Sequence, residues 1–121
     1  MFEISVETQF NASHKIRLPD GSMESEHNHN WLVTAVLSSE KLNNIGIVMD
    51  FRMLRKFLKE IISQIENKSL NEIEYFEQNN PSAENVAKYF FEKLEPKLPK
   101  TVILSSISVI EEPGCRAKFQ R

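Results

Sequence analysis

Three histidines are the residues in this 121-residue chain whose type and spacing point most directly to chemistry, and all of them fall within one short stretch, at His14, His27 and His29. His27 and His29 are two residues apart, so on a β-strand both rings project from one face, close enough to share a cation. His14 can meet them from a neighbouring strand. Three neutral imidazoles suit zinc, and three protein ligands leave one coordination position for water or substrate, the arrangement of a catalytic site. A cation there would polarise substrate oxygens and acidify nearby C–H and O–H bonds. The alternative for the same residues is a set of solvated or packing histidines in a polar segment.

Positioning those rings requires strands, and the pattern supplies them. From Phe2 to Phe10 the apolar residues Phe2, Ile4, Val6 and Phe10 alternate with Glu3, Ser5, Glu7 and Gln9, the period of a half-buried strand. The same parity carried onward places Ala12 and His14 on the face of Phe10. Pro19-Asp20-Gly21-Ser22 reads as a turn. Residues 27–38 then read as a second, antiparallel strand with Trp31, Val33, Ala35 and Leu37 on the parity of the two histidines.

Asp50 is placed to cap a helix with an apolar stripe at Phe51, Leu54, Leu58, Ile61 and Ile65, and the stripe must cover a sheet. Residues 66–80 show no clear period and read as a structured loop. Ser82 caps a second helix that buries Val86, Ala87, Phe90, Phe91 and Leu94, with Glu84 in its first turn and Pro96 and Pro99 as stops. Residues 102–110 and 115–119, separated by Pro113-Gly114, predict two more strands. The order implies an α+β fold, a four-stranded antiparallel sheet with two helices on one face. Its uncovered edges favour assembly. The lone Cys115 reads as a small buried hydrophobe.

Composition narrows the classes. The length suits a single domain spanning 1–121. A net charge of −2 lacks the basic excess of a nucleic-acid binder, so no nucleic-acid partner is expected. No run approaches the ~20 apolar residues of a membrane span, and the start of the chain has no signal-peptide pattern. With one cysteine and therefore no internal disulfide, a cytoplasmic setting is expected.

Five segments, FNASH (10–14), EHNHNW (26–31), GIVMDF (46–51), LNEIEYFEQNNPSAENVAKYFFEKL (70–94) and SVIEEPGCRAKF (108–119), together resemble the family of 6-pyruvoyltetrahydropterin synthase and bacterial 6-carboxytetrahydropterin synthase. The resemblance runs nearly the length of the chain, in order. It implies the tunnelling fold, in which sheets of several subunits join into a barrel with active sites at subunit interfaces, as a homo-oligomer (trimer or dimer of trimers). It implies Zn2+ on His14, His27 and His29, with Asn28 where Gly is usual. It also implies a pterin small-molecule substrate, 7,8-dihydroneopterin triphosphate, anchored by Glu111. A carboxylate offers two acceptors in a plane to the two donors on the amino-pyrimidinone edge of a pterin. Glu112 stands where Thr usually follows.

The family's proton-transfer groups are replaced. Met23 stands at the position of the catalytic cysteine, and Glu66-Asn67 at that of an Asp-His pair. Neither a thioether nor an amide exchanges a proton at neutral pH. Glu24-Ser25-Glu26-His27 instead matches a Glu-x-x-His branch whose product is 6-hydroxymethyl-7,8-dihydropterin. That match makes Glu24 the expected general base and Glu26 its competitor. Glu84 also matches a family glutamate, and Lys15 and Arg17 are placed to meet substrate phosphates. The alternative is a catalytically silent homologue that keeps zinc and pterin binding.

Overall fold

A computed structural model describes residues 1–121. Strand β1 runs Phe2–His14 and β2 His27–Ser39. Helix α1, Phe51–Ser63, follows, then a 3-10 turn at Leu70–Glu72, the one-turn helix α2 at Tyr75–Gln78, and α3 at Ala83–Leu94. A second 3-10 turn, Glu95–Lys97, leads to β3 at Ile103–Glu112 and β4 at Cys115–Phe119. The four strands form one antiparallel sheet in sequence order. Helix α1 packs on β1, and α3 lies on β3 and β4.

The alternation in β1 persists four residues beyond Phe10, through buried Ala12 and His14, because the core extends beneath the end of the strand. There Trp31 and Phe10 stack with centroids 5.9 Å apart, and Phe90 of α3 meets Phe10 at 5.4 Å. Both helix caps form as their sequences predict. Asp50 Oδ1 accepts the Arg52 amide at 2.8 Å, and Ser82 Oγ accepts that of Asn85 at 3.2 Å. Each satisfies an amide that the first helical turn leaves without a partner.

The 66–80 segment is more ordered than a loop reading allows. Leu70 and Phe76 are buried in the core, and these two anchors define the 3-10 turn and α2 where the intervening polar residues hide any period. Asn67 adopts φ +61°, a left-handed conformation that Asn tolerates better than most residues. Its amide bonds Asn11 O at 2.7 Å, so the segment runs alongside β1.

The sheet face away from the helices carries half-buried Leu32, Thr34, Val36 and Ile110 with no element over them, and both β1 and β4 are edge strands. No helix is long and apolar enough to cross a membrane.

Candidate metal centre

Strand register assembles the histidines. His14 pairs with His27 and Ala12 with His29, so all three imidazoles lie on the core face at one end of the β1–β2 ladder. Their possible ligand atoms lie within 4.8 Å of one another. Trp31 forms the wall behind them, edge-on to His14 at 5.1 Å and to His29 at 5.7 Å. Its indole Nε1 donates to Ala12 O at 3.1 Å and locks the wall to β1.

Backbone carbonyls set two of the tautomers. His14 Nδ1 donates to Pro81 O at 2.7 Å and His27 Nδ1 donates to Ser25 O at 3.0 Å. A carbonyl only accepts, so in each neutral ring Nε2 carries a lone pair. These two Nε2 atoms are 3.0 Å apart. Two lone pairs facing at that distance repel unless a proton or a cation lies between them. His29 Nε2 is buried with no hydrogen-bond partner, a condition that costs ~1–3 kcal/mol when left uncompensated. Burial lowers the His29 pKa below its usual value, Glu111 opposing and the other two histidines reinforcing the shift, which favours the neutral, metal-binding form. The donor set therefore fits a zinc ion held by His14, His27 and His29, with second-layer carbonyls orienting the rings.

Two carboxylates flank the cluster. Glu24 Oε1 is 3.7 Å from His27 Nε2 and accepts the Ile16 amide at 3.1 Å. Glu111 Oε1 lies 3.3 Å from His14 Nε2, and its Oε2 3.8 Å from His29 Nε2. Glu26 points elsewhere, accepting Ser13 Oγ at 3.1 Å and Ser69 Oγ at 3.0 Å, and so ties β2 to β1 and to the segment preceding α2. Of the two candidate bases, Glu24 is the one beside the imidazoles.

Asparagines that sequence reasoning passed over hold the adjoining loop. Asn71 accepts the Lys15 amide and donates to Lys15 O, both at 2.9 Å. Asn80 does the same for Arg17, at 2.8 and 3.2 Å. Glu24 completes the clamp from the other side, its own amide donating to Ile16 O at 3.1 Å. Both asparagines belong to the 70–94 segment, but an amide clamp on distant backbone leaves no periodic signal. Of the two cations expected to meet substrate phosphates, Lys15 is half-buried and Arg17 exposed, while Met23 is exposed and pairs with Arg17 across the turn.

Cys115 is exposed, contrary to its reading as a buried residue. It follows the Pro113-Gly114 turn directly, at the start of an edge strand. It lines a cavity of about 400 Å3 with Glu84, Glu111 and Arg116. Desolvation and the Glu112 carboxylate push its thiol pKa up, so it stays protonated.

Comparison with known proteins places the chain among relatives of one family and fold. The family description "6-pyruvoyl tetrahydropterin synthase" matches residues 3–121. A 6-carboxy-5,6,7,8-tetrahydropterin synthase from Rickettsia conorii is 26% identical over 135 aligned positions, covering 95% of this chain and 97% of its own. A dihydroneopterin monophosphate aldolase from Pyrococcus furiosus is 29% identical over 102 positions, covering 84% and 82%. Among solved structures, 6-pyruvoyl tetrahydropterin synthase from Caenorhabditis elegans superposes with a TM-score of 0.85 at 22% identity, over 99% of this chain and 95% of that one. A Plasmodium vivax 6-pyruvoyltetrahydropterin synthase, in a variant with a catalytic glutamate changed to alanine, gives 0.75 at 20% identity over 99% and 97%. With its fold, its three converging histidines and a family match across almost its whole length, the chain belongs to the 6-pyruvoyl tetrahydropterin synthase family of enzymes.

Proposed function

We propose that this chain is a zinc-dependent enzyme that cleaves the side chain of 7,8-dihydroneopterin triphosphate to give 6-hydroxymethyl-7,8-dihydropterin. The observation that carries the reading is Glu24 standing 3.7 Å from His27, in a site where Met23 is exposed and Asn67 occupies a turn beside β1. The catalytic glutamate of the Plasmodium vivax protein and the aldolase name of the Pyrococcus furiosus relative support it.

His14, His27 and His29 would hold the zinc, which when bound polarises the side-chain oxygens of the substrate. Glu24 acts as general base. Its Oε1 is engaged by the Ile16 amide, leaving Oε2 to accept a proton from the second side-chain hydroxyl. The bond between the first and second side-chain carbons then breaks, and its electron pair passes into the C=N of the ring. The second carbon departs in an aldehyde carrying the phosphates. The proton returns to the first carbon, leaving a hydroxymethyl group, so no oxidant or reductant is needed. Glu111 is the group that would anchor the pterin ring.

The functional unit in this reading is one tunnelling-fold domain per chain, assembled as a trimer or dimer of trimers. The free edges of β1 and β4 and the uncovered sheet face support that assembly, since strand pairing between copies would close them.

The test is incubation of the zinc-loaded protein with 7,8-dihydroneopterin triphosphate and identification of products by mass spectrometry. A hydroxymethyl product is expected. A carboxy or pyruvoyl product would contradict the Glu24 reading, and bound but unchanged substrate would favour a silent zinc- and pterin-binding homologue, for which the loss of cysteine at Met23 and histidine at Asn67 argues.

A further inference from the structure

Glu111 is the residue whose position departs furthest from a role in ring anchoring alone. It lies where the pairing of β3 with β4 slips, Ile110 facing Arg116 and Glu112 facing Cys115, so Glu111 itself has no cross-strand partner. A bulge of this kind re-aims a side chain. Here the carboxylate is turned onto the histidines.

The contact needs a proton or a cation between its two atoms. His14 Nδ1 bears the proton given to Pro81 O, so the Nε2 that Glu111 Oε1 approaches at 3.3 Å is an acceptor facing an acceptor. Glu111 Oε2 lies 3.8 Å from His29 Nε2, a buried atom with no hydrogen-bond partner. Acceptors converge in this way around a cation. The ligand atoms of a tetrahedral zinc, at bond lengths of ~2.0–2.2 Å, lie about 3.3–3.6 Å apart, a range that holds the His14–Glu111 separation and lies within a small side-chain adjustment of the His29–Glu111 one. On its other side Glu111 borders the cavity of about 400 Å3 that it shares with Glu84, Cys115 and Arg116.

We propose that Glu111 is a fourth ligand of the metal in the substrate-free protein, and that a pterin ring entering the neighbouring cavity draws its carboxylate away. This rests on the metal and pterin readings above. The ring's adjacent N–H donors offer the carboxylate a planar, bidentate alternative, and its departure opens the metal to the substrate side chain. One residue would thereby couple ring recognition to exposure of the metal.

Cobalt(II) substitution tests this without turnover. Visible spectra of cobalt-loaded wild-type, Glu111→Gln and Glu111→Ala proteins are compared, with circular dichroism to verify folding and chelator competition to measure zinc affinity. The expected result is a changed ligand-field spectrum in both variants and a zinc affinity lower by at least about tenfold. Unsubstituted pterin, which has no side chain, should shift the wild-type spectrum and leave that of E111Q unchanged. Superimposable wild-type and E111Q spectra would overturn the ligation. Pterin that binds, as read by its fluorescence, without altering the wild-type cobalt spectrum would overturn the release. A wild-type protein that takes up neither cobalt nor zinc would instead end the metal reading itself.

Discussion

Replacing Glu24 with Gln is expected to lower kcat by about 10²- to 10⁴-fold, the usual contribution of a positioned general base, while zinc content and substrate binding stay close to wild type. Glutamine retains an acceptor for the Ile16 amide, so the hydrogen bond that sets the side chain beside His27 survives. What it loses is the capacity to take a proton. The effect should therefore fall on kcat and not on KM, as expected when an interaction needed in the transition state is removed. Glu26→Gln is the matched control. Glu26 is bound by Ser13 and Ser69, so its replacement should loosen the tie between β1 and the segment before α2, costing about 1 kcal/mol of stability with little change in kcat. Steady-state kinetics on both variants decide the matter. An E24Q protein with wild-type kcat, or an E26Q protein with the larger loss, would move the base elsewhere.

The largest structural effect is expected at Trp31. It is the bulkiest of the fully buried side chains, stacked on Phe10 and edge-on to both His14 and His29. Trp31→Ala should cost about 3–5 kcal/mol, from lost burial and the void left behind. Ala12 O would also lose its indole donor. Against a typical total stability of ~5–15 kcal/mol, this is a large fraction of what holds the fold. Zinc affinity should fall with it, because two of the ligand rings would lose the wall that fixes their orientation. Chemical denaturation of metal-stripped wild type and variant measures the first effect, and chelator competition the second. Trp31→Phe, which keeps an aromatic wall but removes the N–H, should recover most of the stability. An alanine variant of unchanged stability would show that the wall is dispensable.

What could be read from the sequence follows from which forces act locally. Alternation along Phe2–Phe10 and again from His27 onward was sufficient to place all three histidines on one sheet face, because the side-chain period of a strand is two and the core enforces the parity. The caps at Asp50 and Ser82 are local as well and form where their residue types indicate, and the stripe of α1 buries Leu54, Leu58 and Ile61 but leaves Phe51, at its first position, exposed, while buried Ile65 lies past its end. Long-range partners were not legible. Glu24 and Glu26 differ by two positions and look equivalent in the chain, and they separate only because Ile16 engages one while Ser13 and Ser69 engage the other. The Asn71 and Asn80 clamps, the 3-10 turn and α2 within 66–80, and the exposure of Cys115 depend on which backbone or surface the fold brings near. The bulge at Glu111 lies where β3 pairs with β4 and cannot be inferred from residue type. Its consequence is that a glutamate matched by resemblance to a ring anchor also faces the three histidines.

The most direct test of the metal centre is the zinc content of the wild-type chain, measured by inductively coupled plasma mass spectrometry after equilibration with zinc and removal of excess, beside a His29→Ala variant. One tightly held zinc per wild-type chain and its loss from H29A are predicted, since His29 Nε2 is a buried ligand atom that no protein group satisfies. A folded wild-type chain that binds no zinc, or an H29A chain that binds it as tightly, would contradict the assignment of His14, His27 and His29 as the site on which the proposed chemistry depends.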